Sequence, residues 1–112
     1  SIVGYLVLEA NKDFYTVVHL GVSEKHRRLG VGKALIAQAI EQLLTSKRRR
    51  IVIDVRESNL AAQLFLRANR FRCIEIQHKH YSSEDGYRFE YRQHWPDKTT
   101  QGDAKGYYAK VK

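Results

Sequence analysis

Two patterns of apolar spacing meet at one basic turn, and that junction constrains the fold more than any other stretch. Residues 14–22, FYTVVHLGV, are apolar and β-branched, as strands are. From residue 31 the period changes. Val31, Leu35, Ile36, Ala39, Ile40 and Leu43 fall on one helical face, and Lys33, Gln38, Glu41 and Thr45 on the other. Between strand and helix stands HRRLGVGK, residues 26–33. The order strand, turn, amphipathic helix places the chain among mixed α/β folds.

The turn also has a chemistry. A helix begins with four backbone N–H groups that lack internal acceptors, and its dipole leaves partial positive charge there. Phosphate is the anion such a tip suits best. Gly30 and Gly32 let a ligand approach the backbone with no Cβ in the way, and Arg27, Arg28 and Lys33 add charge. The physical reading is a pyrophosphate cradle. The phosphate-loop pattern GxxxxGK[ST] is absent. The dinucleotide pattern GxGxxG fails as well, because Leu35 stands where its third glycine belongs. Read the other way, this is a glycine-bearing loop whose basic residues serve solubility.

The rest of the chain continues the alternation. Residues 2–9, IVGYLVLE, predict a strand that forms a hairpin with 14–22 across Asn11, Lys12 and Asp13. IVIDV, residues 51–55, predicts a short strand buried on both faces, as parallel strands are. Ser58 or Asn59 is placed to cap a helix over about residues 60–69. Strands follow at 71–77 and 86–92. The predicted order is β-β-α-β-α-β-β, in one domain over residues 1–92. Residues 93–112 form a polar tail in which GYYAKVK, 106–112, is a candidate short strand.

Twenty lysines and arginines against twelve acids give a net charge of +8, which favours polyanionic partners. The densest run, Lys47 to Arg50, reads as a solvated turn or as a binding site. No apolar run approaches the roughly 20 residues of a membrane span, so no membrane partner is expected. The single cysteine, Cys73, fits a reducing compartment and a cytoplasmic location, and reads as a small core residue. His78 and His80 have metal-ligand spacing but no evident third ligand, so no metal is expected.

Arg27-x-x-Gly30-x-Gly32 matches the R/Q-x-x-G-x-G/A signature of the GNAT N-acetyltransferases, which bind acetyl-CoA. VRESNLAAQLF (55–65), Phe71 and HYSSEDGYRFEY (80–91) extend the likeness to the protein N-terminal acetyltransferases. Within these the chain most resembles the bacterial enzymes that acetylate a ribosomal protein's N-terminal alanine. The resemblance covers residues 2–92. It implies a mixed, mostly antiparallel sheet flanked by helices, lacking the family's first β-α-α-β. It also implies that strands 14–22 and 51–55 splay apart around the pantetheine arm. A chain without that front is expected to complete itself by homodimerisation, to be a truncated relative, or to be a fragment.

The same resemblance implies the site. Backbone groups of Leu20, Gly21 and Val22 would hold the pantetheine amides and aim an N–H at the thioester oxygen, an oxyanion contact. The N–H groups of Arg28, Leu29, Gly30, Val31, Gly32 and Lys33 would take the pyrophosphate, with charge from Arg27. Asn59 would touch the cosubstrate near the pantetheine, or simply cap its helix. Asp54 stands where bacterial relatives carry a glutamate base; it is one methylene shorter, which favours a relaying water. Alternatively it pairs with Arg56 or Arg72. Leu66 stands where the family has an acid tyrosine, and Tyr81 is a substitute. Tyr81 also matches one member of a tyrosine pair that holds the substrate's first residue; His80 replaces the other. Glu84 and Asp85 match an acidic pair that either neutralises a basic peptide or shapes a turn. Arg70, before Phe71, stands where the family has glycine.

The expected reaction is attack of an amine on a thioester. A peptide α-amine, with a pKa of roughly 8, is partly neutral near pH 7, and a thiolate resembling that of cysteine leaves readily. The expected function is therefore an acetyl-CoA-dependent N-acetyltransferase acting on a peptide or protein N-terminus, with a ribosomal protein as candidate. The alternatives are a weak or inactive CoA-binding module, or a basic ribosome- or RNA-binding protein.

Overall fold

The computed structural model describes residues 3–27 and 29–93. Its elements are β1 (Gly4–Ala10), β2 (Phe14–Val22), a 3-10 turn (Glu24–His26), α1 (Val31–Leu44), β3 (Arg50–Arg56), α2 (Leu60–Ala68), β4 (Arg72–Tyr81) and β5 (Glu84–Arg92). The predicted order of strands and helices holds, and the 3-10 turn is added to it. GYYAKVK lies outside the described residues.

One five-stranded sheet carries everything, in the order β1-β2-β3-β5-β4. All of its pairings are antiparallel except β2 with β3. That parallel ladder runs only from Phe14↔Arg50 to Thr16↔Val52. Beyond it the two strands part, as the resemblance implies. A β-bulge in the β1–β2 ladder, where Val7↔His19 gives way to Leu8↔Val17, leaves Val18 out of register just past the last β2–β3 pair. Bulges bend a strand and increase its twist.

The two-faced burial expected of IVIDV holds at Ile51 and Val52, but its pairing is not that of a parallel strand. β3 is parallel to β2 over three pairs only, and antiparallel to β5 from Arg50↔Arg92 to Arg56↔Gly86. Its odd positions, Ile51, Ile53 and Val55, face the core with Phe89 and Tyr91 of β5. Asp54 alternates to the other face and is half-buried.

The core lies between the sheet and its helices. Ile36, Ala39 and Leu43 of α1 and Leu66 of α2 join Tyr15, Val17, Ile51, Val55, Phe71, Phe89 and Tyr91 in one cluster. Each large aliphatic side chain buried there contributes about 1.5–3 kcal/mol. α1 sits closely on β1, since a Cβ at Gly4 would lie 2.8 Å from Val31 Cγ1.

α2 ends in a Schellman motif. The Phe71 N–H donates to the Leu66 carbonyl at 2.9 Å and the Arg70 N–H to Arg67 at 3.1 Å. Arg70 therefore takes a φ of 73°, the left-handed conformation for which glycine is favoured.

The basic run after α1 is structural in two of its members. Arg48 donates to the Asn11 carbonyl at 2.6 Å and stacks on Tyr15, and Arg50 binds Glu90 at 2.7 Å and stacks on Phe14. Cys73, expected in the core, is exposed. It precedes an irregularity in the β4–β5 ladder, and its thiol turns to the Glu75 carbonyl at 3.8 Å. No described helix is long and apolar enough to cross a membrane.

Candidate functional site

Where β2 leaves β3, its last residues run into the glycine turn and the mouth of α1. A cleft of about 1010 Å³ opens there. Leu20, Gly21, Val22, Arg27, Gly30, Gly32 and Lys33 line it, so seven of the residues singled out in the sequence come together. Phe65 of α2 and Tyr5 of β1 also line it, and sequence reasoning missed both.

The tip of α1 is open to a ligand. The first bond of the helix runs from the Ala34 N–H to the Gly30 carbonyl at 3.0 Å, so the N–H groups of Val31, Gly32 and Lys33 precede any helical acceptor. No side chain caps them and the first turn holds no acid. Gly30 has a φ of 82°, and a Cβ built there would meet nothing within 4 Å. Its glycine is required by the backbone conformation rather than by crowding. Gly32 is the opposite case: a Cβ would sit 3.1 Å from Phe65 Cζ. Its bare backbone lets α2 and α1 meet at the cleft wall. Arg27 leans back on the Val22 carbonyl at 3.4 Å, which ties the turn to the end of β2.

Leu29 is strongly exposed beside this tip, and Val31 packs toward β1. Asn59 is the N-cap of α2, its Oδ1 accepting from the Ala62 N–H at 3.1 Å. None of these three lines the cleft. Arg28 lies outside the described residues.

A second group of polar side chains gathers on the sheet face that α1 leaves bare, around Asp54. Asp54 lies two residues past the last β2–β3 pair, on the open part of the gap. Arg88, directly opposite it on β5, donates Nε to Oδ1 at 2.8 Å and Nη2 to Oδ2 at 3.1 Å. The partner is Arg88, not Arg56 or Arg72, because register decides which arginine stands across. This carboxylate raises the Arg88 guanidinium above its ordinary pKa. His80 Nε2 stands 3.8 Å from Asp54 Oδ2.

Tyr81 follows His80, with the two rings edge to face at 4.7 Å and Arg56 stacked 4.5 Å above the phenol. Burial pushes the Tyr81 hydroxyl above its ordinary pKa, and the charge of Asp54 pushes the same way. Tyr81 thus keeps its proton at neutral pH, and its hydroxyl can donate a hydrogen bond as well as accept one.

The position that carries an acid in the resembled enzymes holds Leu66, which is 1 % exposed within the core. Glu84 and Asp85 are committed to the hairpin end. Glu84 accepts from the Ser58 N–H at 3.1 Å and pairs with Arg56 at 3.3 Å. Asp85 accepts from the Lys79 N–H at 2.8 Å and faces His78 at 3.4 Å. His78 and His80 therefore turn to different carboxylates, and no three described ligands gather for a metal.

A splayed sheet thus meets an uncapped, glycine-bearing helix tip at one cleft. The chain belongs to the acetyltransferase (GNAT) family, whose model matches residues 1–71. Ard1 from Thermoplasma volcanium is similar at 23 % identity with a TM-score of 0.77, over 82 % of this chain and 64 % of that one. The ribosomal-protein-S18-alanine N-acetyltransferase from Escherichia coli is similar at 21 % identity and a TM-score of 0.74, over 87 % and 65 %. Arabidopsis thaliana NAA60 in complex with acetyl-CoA matches at 24 % identity and 0.71, over 81 % and 66 %. These likenesses show the fold, and the chain spans about two thirds of each of these structures' length.

Proposed function

We propose that this protein is an acetyl-CoA-dependent N-acetyltransferase whose acceptor is a protein N-terminal α-amine, with a ribosomal protein as the candidate substrate. The observation that carries the reading is one cleft that joins the α1 tip to Leu20, Gly21 and Val22, the end of β2 that lies beyond its ladder to β3. The tip suits the pyrophosphate, since it offers the uncapped N–H groups of Val31, Gly32 and Lys33, and Arg27 and Lys33 bring charge to the cleft wall. Leu20, Gly21 and Val22 suit the pantetheine arm. They pair with β1 on one side, and beyond Thr16 they have no ladder to β3 on the other. Backbone groups so placed hydrogen-bond amides and can direct an N–H at a thioester oxygen, which in other enzymes supplies roughly 2.7–4 kcal/mol.

Bound acetyl-CoA would supply the activated acyl group. The protein's own residues position it, admit an amine from the bare sheet face, and take up one proton. The relatives named for N-terminal acetylation support the acceptor class.

A CoA-binding module of low activity is the second reading. The observation favouring it is Leu66, an aliphatic side chain sealed in the core where the resembled enzymes carry an acid.

Two measurements separate the readings. Acetyl-CoA is expected to raise Tm progressively above its Kd; no shift at millimolar acetyl-CoA rejects both. Release of free CoA with short peptides bearing a free α-amine is expected for the enzyme, and binding without release for the module.

A further inference from the structure

We infer that His80, rather than Asp54, is the group that takes the amine's proton, with Asp54 as the positioning carboxylate that orients it; the inference rests on the acetyltransferase reading above.

The chain goes to some length to bring His80 to Asp54. After the irregularity at Cys73, β4 pairs in step with β5 from Glu75↔Arg88 to Gln77↔Gly86, then breaks register until Tyr81↔Glu84. Within that break Lys79 takes a φ of 51°, in the left-handed region, and its N–H is fixed by Asp85 Oδ1 at 2.8 Å. The break folds the strand end down over β5. It can do so because Gly86 has no side chain: a Cβ there would lie 2.9 Å from Tyr81 Cε2 and 3.2 Å from both Cβ and Cδ2 of His80. Gly86 pairs with Arg56 of β3, and His80 over it comes within 3.8 Å of Asp54, two residues past the last β2–β3 pair.

The two groups differ in availability. Both oxygens of Asp54 are held by Arg88, and a carboxylate committed to a bidentate guanidinium is a poor acceptor for a further proton. His80 is 40 % exposed on the sheet face that carries no described helix. Histidine is also the side chain whose ordinary titration falls between pH 5 and 8. With Nε2 3.8 Å from Asp54 Oδ2, Nδ1 is the ring nitrogen left to meet the amine. The charged and titratable groups around it are Asp54 and Arg56 from β3, Arg88 and Glu84 from β5, and Tyr81 on its own strand.

The step balances. As the neutral amine nitrogen bonds to the thioester carbonyl carbon, Nδ1 of His80 takes the proton that nitrogen sheds. The C–S bond breaks, the sulfur leaves as thiolate, and the imidazolium returns the proton to it. An amide and a free thiol result.

The test is CoA release with acetyl-CoA and a free-α-amine peptide across pH 5.5 to 9.5, with acetyl-CoA Kd measured in parallel. His80→Ala is expected to lower kcat/KM by about 10²-fold, leave Kd within about twofold, and regain part of its rate with added imidazole. A structural histidine would show no such rescue. His80→Gln serves as a second variant of closer volume and is expected to lose the acid-side fall of the wild-type profile. Wild-type kcat/KM and profile in both variants would overturn the inference, as would a loss that imidazole does not restore. Failure of the acetyltransferase reading itself looks different: the wild-type protein then releases no CoA with any amine, and this inference falls with it.

Discussion

Arg88 grips Asp54 through two hydrogen bonds, at 2.8 and 3.1 Å, across the β3–β5 ladder. The pair is 33 % and 19 % exposed, so its contribution to folding is screened and amounts to about 1 kcal/mol. Its larger effect is to fix one carboxylate at the mouth of the gap. Asp54→Asn keeps the shape but sets an amide N–H2 against the guanidinium and removes the charge facing His80. The expected outcome is a loss of turnover of about 10-fold to 100-fold, with acetyl-CoA affinity unchanged, read by CoA release and calorimetry. Arg88→Met frees the carboxylate and is expected to lower Tm by a few degrees. Loss of acetyl-CoA binding in Asp54→Asn would instead make Asp54 part of the cleft's scaffold.

Arg70 occupies the one position of the α2 terminus that asks for glycine. The Schellman bonds from Arg70 and Phe71 hold it at a φ of 73°. A side chain there costs about 1–2 kcal/mol, while glycine costs about 0.5–1 kcal/mol in unfolded-chain entropy. Arg70→Gly is therefore expected to stabilise by about 0.5–1 kcal/mol, seen as a rise of several degrees in Tm. A fall in Tm would mean that the arginine side chain contributes more than its backbone costs.

The strands, both helices and the glycine turn were legible because each rests on local signals: period, caps and breakers. The cleft was legible through Gly30 and Gly32 for the same reason. What sequence left open depends on register. Arg56 and Arg72 were the candidates for Asp54, and only the β3–β5 ladder shows that Arg88 stands across from it. The approach of His80 depends on a break in β4, and one signal for it was present: a glycine, Gly86, inside an otherwise aromatic strand marks close approach of another group. Phe65 was hidden because its place in the cleft depends on how α2 meets α1 rather than on anything in α2 alone. Arg48 and Arg50 looked like solvated charge, and their partners, the Asn11 carbonyl and Glu90, lie 37 and 40 residues away.

Gly32 lets the cleft exist. A methyl group there would press on Phe65 at 3.1 Å, and an indole would fill the space beside the α1 tip. Gly32→Ala gains about 0.5–1 kcal/mol of helix propensity, which offsets the displacement of Phe65, so its Tm is expected to stay near wild type while acetyl-CoA binds more weakly. Gly32→Trp is expected to abolish the acetyl-CoA-dependent rise in Tm. Unchanged binding in Gly32→Trp would place the ligand elsewhere.

Glu84 links stability to acid. Hydrogen bonding from Ser58, joined by Arg56, holds its carboxyl below its ordinary value of 4.5. A carboxylate with a depressed folded pKa contributes stability above its unfolded pKa and loses it as pH falls through the lower, folded value. Urea midpoints of the wild type and Glu84→Gln are therefore expected to differ at pH 6 to 8 and to converge below about pH 4. A difference that persists at low pH would assign the effect to packing rather than charge.

Gly86 offers a change that reaches His80 and Tyr81 without altering either. It is buried, it pairs with Gln77 on one side and Arg56 on the other, and His80 and Tyr81 rest on its bare Cα. Gly86→Ala places a methyl group 2.9 Å from the Tyr81 ring, which must shift, and 3.2 Å from His80, which must give by a few tenths of an ångström. The end of β4 is expected to shift off its seat, and overpacking of this kind costs about 1–3 kcal/mol. The cleft itself is lined from β1, β2, the glycine turn, α1 and α2, so acetyl-CoA binding is expected to survive. Turnover is expected to fall as far as in His80→Ala, but without rescue by added imidazole, because the native ring still occupies part of the space. Full turnover in Gly86→Ala would mean that the close seat of His80 over the gap is not what the reaction uses.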